Sequence, residues 1–183
     1  MTERLLRRAG LDLARSQGFH PKPRLSFPSA LALGLEGRDE VMELELAEPA
    51  DADAILARLR ACAIPGLSFR SVELLAPGTK KAQLRSAVYQ MPIPPDRRDD
   101  VARGVDRVLS GGATPVRRGG AGPAIDVRLF LEELSLQQGV LRMRLRASRE
   151  RSATARDVLE ALGIADLERD GAVLTRLAVE LAP

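Results

Sequence analysis

The 183-residue chain has few of the residues that build metal, cofactor or base-stacking sites. Tryptophan is absent, aromatic residues make up 3% of the sequence, and there is one histidine and one cysteine. Because single-stranded nucleic acid is commonly bound on rows of exposed aromatic rings, this composition argues against such a platform. Cys62 alone excludes an internal disulfide, and together with His20 it lacks the paired spacing of a zinc site. We therefore expect an aliphatic core and no metal centre.

Long apolar runs and a secretory leader are also missing. Arg, Glu or Pro interrupts every apolar stretch well before the roughly 20 residues that a membrane span needs. No charged segment leads into an apolar run with a small-residue cleavage site. The apolar fraction of 45% is ordinary for a globular protein. We therefore expect a cytoplasmic protein of one or two small domains that does not enter a membrane.

Charge is segregated along the chain, although the net charge is only +3. Residues 1–24 contain six Lys/Arg and two acids, and residues 36–53 contain eight acids and only Arg38 as a base. Residues 139–156 return to six Arg and only Glu150. Two interpretations stay open for the basic segments: solvated protein faces, and a surface that binds a polyanion.

The first half of the chain is predicted to contain a helix, two strands and a second helix. Residues 3–16 place apolar side chains at helical spacing, with Gly10 as an interruption. A short strand is predicted around residues 24–27, and the alternation of residues 41–47 indicates a half-buried strand. Asp51 and Asp53 then open a predicted helix.

A strand and a linker are predicted to follow that helix, which ends at Pro65-Gly66. The strand covers residues 67–75. Residues 77–82 combine Pro, Gly and two lysines between periodic elements, which is typical of a linker. The sequence therefore predicts one domain over residues 1–76 and another over residues 83–183.

The second half is predicted to run strand, helix, strand, strand, helix, strand, which is the order of a ferredoxin-like fold. Residues 124–136 fit both the helical and the strand period, and we expect an extended start followed by a helical turn. The other predicted elements are strand 84–91, helix 96–109, a short strand and a flexible glycine loop within residues 113–123, strand 140–147, a helix capped by Thr154, and strand 172–181.

A repeated strand links the two halves. Residues 42–47 (MELELA) match residues 141–146 (LRMRLR) in kind, and each is followed by a predicted helix and a terminal strand. The sequence therefore predicts an α+β protein of two tandem ferredoxin-like (βαββαβ) units, the first of which lacks its opening strand and is incomplete at its N-terminus.

The two copies of this strand carry opposite charges on one face. Glu43 and Glu45 occupy that face in the first copy, and three arginines, which we call the arginine stripe, occupy it in the second: Arg142, Arg144 and Arg146. Alternate strand residues stand about 6.6 Å apart, so the stripe could follow consecutive phosphates. Three interpretations stay open: pairing with Glu43 and Glu45, phosphate binding, and simple solvation.

Residues 16–27 (SQGFHPKPRLSF), followed by residues 31–49 (LALGLEGRDEVMELELAEP), resemble the signature stretch of the radical-SAM-linked family. This is a domain of unknown function that is often fused to or encoded beside a radical-SAM protein. Residues 125–136 (IDVRLFLEELSL) and 153–163 (ATARDVLEALG) resemble the second half of the same family. The resemblance implies a radical-SAM partner that carries an iron–sulfur cluster and S-adenosylmethionine, and an association with RNA metabolism.

Two departures from the pattern of such proteins bear on this expectation. Radical-SAM enzymes hold their cluster with three cysteines, and Cys62 alone cannot hold a [4Fe–4S] cluster. We therefore expect no cofactor in this chain. Family members usually begin with a basic strand and a Ser-His-Leu-Asp segment before the first helix. This chain has neither feature, so we expect that the first unit is truncated or that its start is misassigned.

Candidate binding residues concentrate in one proline-bounded loop that contains the only histidine, an aromatic ring and two cations. They are Gln17, Phe19, His20, Lys22 and Arg24, and the arginine stripe completes the set. Loops held rigid by proline are frequent carriers of function. A purely structural interpretation is equally open: Phe19 fills the core, His20 bonds a carbonyl, and Lys22 and Arg24 are solvated.

Three functions follow from these features. The first is a non-catalytic accessory or substrate-recognition domain that works with a radical-SAM enzyme on RNA or another polyanion. The second is a stand-alone RNA-modifying enzyme similar to a pseudouridine synthase, with Asp39 or Asp126 as its carboxylate. The third is a structural protein–protein adaptor. Gly119, Gly120 and Gly122 lack the Lys-Ser/Thr of a phosphate-binding loop, so we expect a flexible hairpin there.

Overall fold

The computed structural model of the protein describes residues 2–118, 123–148 and 151–182. Gly119, Gly120 and Gly122, for which a hairpin is predicted, lie outside these residues. The elements in chain order are α1 (Thr2–Arg8), β1 (Leu25–Ser26), β2 (Glu36–Gly37), β3 (Glu43–Leu44), α2 (Ala52–Ala61), β4 (Gln83–Pro92), α3 (Arg98–Ser110), β5 (Pro115–Val116), β6 (Ile125–Asp126), β7 (Leu131–Gln137), β8 (Val140–Arg146), α4 (Ala155–Leu162), α5 (Asp166–Arg169) and β9 (Thr175–Ala182).

The protein is a mixed α+β structure whose sheets are mostly antiparallel. It forms two compact units. Unit 1 consists of residues 1–27 and 42–81, and unit 2 consists of residues 28–41 and 82–183. The predicted domain boundaries differ from this division because they assign residues 28–41 to the first half. In the described residues, no helix has the length and apolar character required to cross a membrane.

Unit 1 places α1 and α2 around a small aliphatic core. Leu5 and Leu6 of α1 and Ile55 and Leu59 of α2 are buried in it. Asp51 caps α2, as predicted, by accepting a hydrogen bond of 3.0 Å from the backbone N–H of Ala54.

Two predicted elements of unit 1 are wrong. The helix predicted over residues 3–16 ends at Arg8, because Gly10 takes a positive φ of 66° that a helix does not accept. Residues 67–75 form no strand. The carbonyls of Phe69 and Arg70 instead accept hydrogen bonds from the Arg60 side chain of α2, at 3.0 and 2.8 Å, so they bind a helix rather than a neighbouring strand.

Unit 2 is built on a five-stranded sheet in the order β2-β9-β4-β8-β7. Only β2 and β9 run parallel, and the other neighbours are antiparallel. The main core contains residues of the sheet and of the helices α3, α4 and α5, among them Leu141 and Met143 of β8, Val101 of α3 and Leu159 of α4. The predicted strands at β4, β8 and β9, the helix at α3 and the Thr154 cap of α4 are confirmed.

Residues 125–137 were only partly predicted. The extended start is β6, and a short 3-10 turn at Val127–Leu129 follows it as expected. The chain then continues as the seven-residue strand β7 rather than as further helix. Leu131 and Leu134 are buried in the core on either side of a register shift between Leu131 and Glu133, and the pairing of β7 with β8 overrides the helical period of the sequence.

Residues 28–41 are fastened to unit 2 through a buried arginine. Arg176 of β9 is 3% exposed. Its guanidinium donates to Glu40 Oε1 at 2.8 Å, to Ser29 Oγ at 2.8 Å and to the Ser29 carbonyl at 2.9 Å. Because a buried charge is costly without partners, these bonds are what allows Arg176 to lie inside the protein.

Candidate nucleic-acid interface

Three chain segments of unit 1 meet at the base of the predicted binding loop. The Arg24 N–H donates to the Ala14 carbonyl at 2.8 Å, the Glu45 N–H to the Arg24 carbonyl at 3.0 Å, and the Ala14 N–H to the Glu45 carbonyl at 2.8 Å. The three hydrogen bonds form a closed ring. Both ends of the intervening loop are thereby held on the same frame.

Residues 16–22 form a closed loop above this frame, which we call the finger. The Ser16 N–H donates to the Lys22 carbonyl at 2.8 Å, and the Lys22 N–H donates to Ser16 Oγ at 3.0 Å. Gly18 takes φ 130°, a conformation that other residues rarely adopt, and Pro21 restricts the return of the chain. The loop is therefore closed by two reciprocal hydrogen bonds and bent at a position that requires glycine.

The predicted binding residues of the finger all face solvent. Gln17, His20 and Lys22 are exposed, and Phe19 is 102% exposed, so its ring touches none of the core. The structural interpretation in which Phe19 fills the core is therefore wrong. His20 makes no hydrogen bond within the described part of the chain, so it is not used to bond a carbonyl there.

Arg24, at the foot of the finger, is committed to a carboxylate of the same unit. Its Nη1 lies 3.0 Å from Glu45 Oε1 and 2.8 Å from Glu45 Oε2. Both side chains are about half exposed, so this ion pair contributes little to stability. It does reduce the positive charge that Arg24 offers to an outside ligand.

The arginine stripe lies on the face of β8 opposite the core residues Leu141, Met143 and Leu145. Arg142 and Arg144 share Glu133 of β7, with Nε–Oε1 and Nε–Oε2 distances of 3.7 and 3.9 Å. Arg144 also pairs with Glu180 of β9. Arg146 donates from Nε to the Leu129 carbonyl at 2.9 Å.

Glu133 and Glu180 are the ion-pair partners of the arginine stripe, and the sequence alone did not identify them. The hydrogen bond from Ser86 and the guanidinium of Arg144 hold the pKa of the Glu180 carboxyl below its ordinary value. Ser86 Oγ donates to Glu180 Oε2 at 2.7 Å. Two of the three stripe arginines are thus balanced by glutamates of unit 2. The sequence signal that could have identified Glu133 is its position in the strand next to β8.

The excess positive charge of the protein belongs to unit 1. Its residues include 11 Lys/Arg and 8 Asp/Glu, whereas unit 2 contains 17 of each. Arg15 and Lys22 lie at the two sides of the finger, and neither has an acidic partner within the residues that the structure describes. The same holds for Arg4, Arg7 and Arg8 of α1. Arg15, Lys22 and the arginines of α1 therefore carry positive charge that is available to an outside ligand.

The carboxylates considered for catalysis have different surroundings. Asp126 accepts hydrogen bonds from the backbone N–H groups of Thr114, at 2.8 Å, and Arg128, at 3.1 Å, which is the role of a turn cap. Asp39 is exposed in the segment 28–41. Cys62 is half-buried at the end of α2, and the described residues contain no group of three His, Cys, Asp or Glu that could hold a metal ion.

The fold and these surfaces define a mixed α+β protein that presents a closed basic loop to solvent. The chain belongs to the family described as an uncharacterized protein conserved in bacteria (DUF2344), whose model matches residues 1–157. No curated protein matches the chain. The match covers the finger, the arginine stripe and the start of α4, so these features lie within the family domain.

Proposed function

We propose that this protein is a non-catalytic recognition domain that works with a radical-SAM enzyme and binds RNA through the finger and the basic residues beside it. The observation that carries the proposal is the positive charge of Lys22 in the finger and of Arg15 directly before it. Neither has an acidic partner in the described chain, and the loop is closed by two hydrogen bonds. Cations that meet phosphates release condensed counterions, which supplies sequence-independent affinity. A rigid loop loses little conformational entropy when it binds.

The finger is a better phosphate site than the arginine stripe. In the stripe, a phosphate has to compete with Glu133 and Glu180 for Arg142 and Arg144. In the finger, Lys22 has no acidic competitor within the described chain. The stripe therefore serves mainly to bind neighbouring strands to one another, and Arg146 is its member with the least carboxylate competition.

The domain organisation of the proposal is two ferredoxin-like units. Its support in unit 2 is the strand order β9-β4-β8-β7 together with the chain order β4, α3, β7, β8, α4, β9, which is a split βαβ arrangement. Unit 1 corresponds to a reduced copy, in which β1 and β3 form a two-stranded sheet beside α1 and α2.

The salt dependence of RNA binding tests the proposal. The variant Arg15→Ala/Lys22→Ala, called the finger variant, removes one charge in the finger and one directly before it. Arg142→Ala/Arg146→Ala removes two charges from the stripe as a matched control. For single-stranded RNA, losing two phosphate contacts lowers the slope of log K against log salt by about 1.4. We expect this change for the finger variant and a smaller one for the stripe variant. Equal slopes for the finger variant and the wild type would contradict the proposed site.

The radical-SAM partner is tested by recovering the tagged protein from its source cell. We expect a protein that contains a three-cysteine cluster motif to co-purify, and treatment with ribonuclease should leave that protein bound. Recovery of RNA alone, without such a partner, would contradict this part of the proposal.

A protein–protein adaptor is the second candidate function, and one surface favours it. Residues 30–33 are four consecutive apolar residues that are all exposed, and Leu33 is 92% exposed. The Leu33 carbonyl accepts a hydrogen bond of 2.8 Å from Arg156, which holds the turn in place. If the adaptor function is the main one, Leu33→Ser abolishes partner recovery while the finger variant does not.

A further inference from the structure

Phe19 stands at the tip of the finger with its whole side chain in water. It is 102% exposed, and the residues around it, from Gln17 to Lys22, are all exposed as well. Both faces of the ring are therefore open to a ligand. A single exposed apolar residue is ordinary on a protein surface. Here the ring is set on a closed loop whose base carries two cations without acidic partners in the described chain, and it is this combination that needs a chemical explanation.

The loop does not leave Phe19 free to fold back onto unit 1. The reciprocal bonds between Ser16 and Lys22 close the loop below the tip. Gly18 provides the bend directly before Phe19, and Pro21 limits the chain after it. The ring is thus held away from the core by backbone constraints, and its binding geometry exists before any ligand arrives.

Charge decides which ligand suits this ring. Arg15 and Lys22 lie on the two sides of the base of the finger, and neither pairs with an acid in the described chain. An apolar pocket on another protein could bind the phenyl ring of Phe19, but it would not use the cations. An unpaired nucleotide would use both, because its base offers an aromatic face and its strand has a phosphate on each side. A base that stacks on an aromatic side chain while cations track the backbone is the usual mode of single-strand binding.

We propose that the finger binds one unpaired base of single-stranded RNA by stacking it on Phe19, while Arg15 and Lys22 contact the flanking phosphates. This inference rests on the proposed RNA-binding function. The low aromatic content argued against a platform for many bases, and it is compatible with a contact to a single base. Double-stranded RNA does not fit this site, because its bases are already stacked on one another and only their edges are accessible in the grooves.

The chain itself offers a clean probe because it contains no tryptophan. Phe19→Trp makes residue 19 the sole tryptophan, and stacking on a base quenches its fluorescence. Phe27→Trp is the matched control, since Phe27 is also in unit 1 and is 46% exposed but lies outside the finger. The titrants are a uridine-rich single-stranded RNA of about ten nucleotides and the same strand annealed to its complement, with binding followed in parallel by anisotropy of a dye on the RNA.

The single strand should quench the tryptophan of Phe19→Trp and leave that of Phe27→Trp unchanged. The duplex should quench neither. Phe19→Ala should weaken single-strand binding by about 5- to 150-fold, the range measured for the loss of one base–aromatic stack. Because Phe19 contacts nothing in the core, Phe19→Ala should unfold at the same denaturant concentration as the wild type.

Two results separate the failure of this inference from the failure of the proposed function. If anisotropy shows single-strand binding but residue 19 is not quenched and Phe19→Ala binds as tightly as the wild type, the stacking inference is overturned and RNA binding stands. If neither RNA binds, both are overturned. A tryptophan at residue 19 that responds only to the co-purified protein partner would make the finger a protein-binding element and also overturn the inference.

Discussion

Replacing Asp157 with Ala should destabilise unit 2 more than any other single change at the start of α4. The side chain is 4% exposed. It accepts hydrogen bonds from the Thr154 N–H at 2.6 Å and the Thr154 hydroxyl at 2.8 Å. Arg118 adds Nε at 2.9 Å and Nη2 at 2.6 Å. One carboxylate therefore completes the capping box and holds Arg118, which lies two residues after β5.

The expected loss follows from these contacts. Loss of a helix cap costs about 1 kcal/mol. Hydrogen bonds to charged groups contribute about 1.5–3 kcal/mol. The Arg118 side chain is 50% exposed, so we use the lower part of that range for the loss of its bonds to Asp157. Together the free energy of unfolding should fall by about 2–3 kcal/mol.

The assay is urea unfolding of wild type, Asp157→Ala and Asp157→Asn, followed by circular dichroism. Asp157→Asn keeps the shape of the side chain and one acceptor oxygen, so its free energy of unfolding should lie between those of the wild type and Asp157→Ala. A loss below about 0.5 kcal/mol for Asp157→Ala, the size of an ordinary surface substitution, would refute the reasoning.

The pH dependence gives an independent check on the same residue. Burial opposes ionisation of Asp157, but the hydrogen bonds from Arg118 and Thr154 outweigh it, so its pKa in the folded protein lies below the ordinary value. Its stabilising contribution is therefore complete above a pH of about 4, the unfolded pKa, and is lost as the pH falls towards the folded pKa. The stability difference between wild type and Asp157→Asn should shrink over this acidic range. A constant difference would contradict the assignment.

Two further predictions concern the segment 28–41 and the finger. Glu40→Ala leaves Arg176 buried without its carboxylate, so the free energy of unfolding, measured in urea, should fall by about 3–5 kcal/mol. The matched control is Glu36→Ala, which removes an exposed ion pair. It should change the free energy of unfolding by less than about 1 kcal/mol. Gly18→Ala introduces backbone strain of about 1–3 kcal/mol at φ 130°, so RNA affinity should fall, whereas Gly112→Ala, which meets neither strain nor contact, should leave it unchanged.

The parts of the fold that were predicted correctly depend on local signals. Alternation marks β8, and Thr154 followed by Asp157 marks the start of α4, because both patterns act within a few residues. The segment that contains β7 was only partly predicted because its apolar residues fit two periods, and only its pairing with β8 selects the extended form. The helix α1 was extended too far because the conformation of Gly10 is a single-residue property.

The segment 28–41 shows what local signals cannot supply. Its strand β2 is two residues long, too short for a recognisable period. The place of β2 beside β9 depends on the bond between Arg176 and Glu40, which are 136 residues apart in the chain. Nothing in the local sequence of residues 28–41 indicates this partner.

The sequence located the candidate site but did not show which of its charged residues form ion pairs. Prolines and the only histidine singled out the loop around Phe19, and the structure adds that the ring is fully exposed. The arginine stripe was also recognised, but its pairing with Glu133 and Glu180 depends on the register of β7, β8 and β9. Strand register is set by tertiary packing, so the balance between free and paired arginines could not be read in advance.

Ultraviolet crosslinking of bound single-stranded RNA, followed by mapping of the tryptic peptides, tests the central claim most directly. Trypsin cuts after Arg15 and Arg24 but not between Lys22 and Pro23, so the finger is released as one peptide of residues 16–24. The proposed function predicts the crosslink in this peptide, at Phe19 or His20. A crosslink confined to peptides of the arginine stripe, with residues 16–24 unmodified, would contradict it.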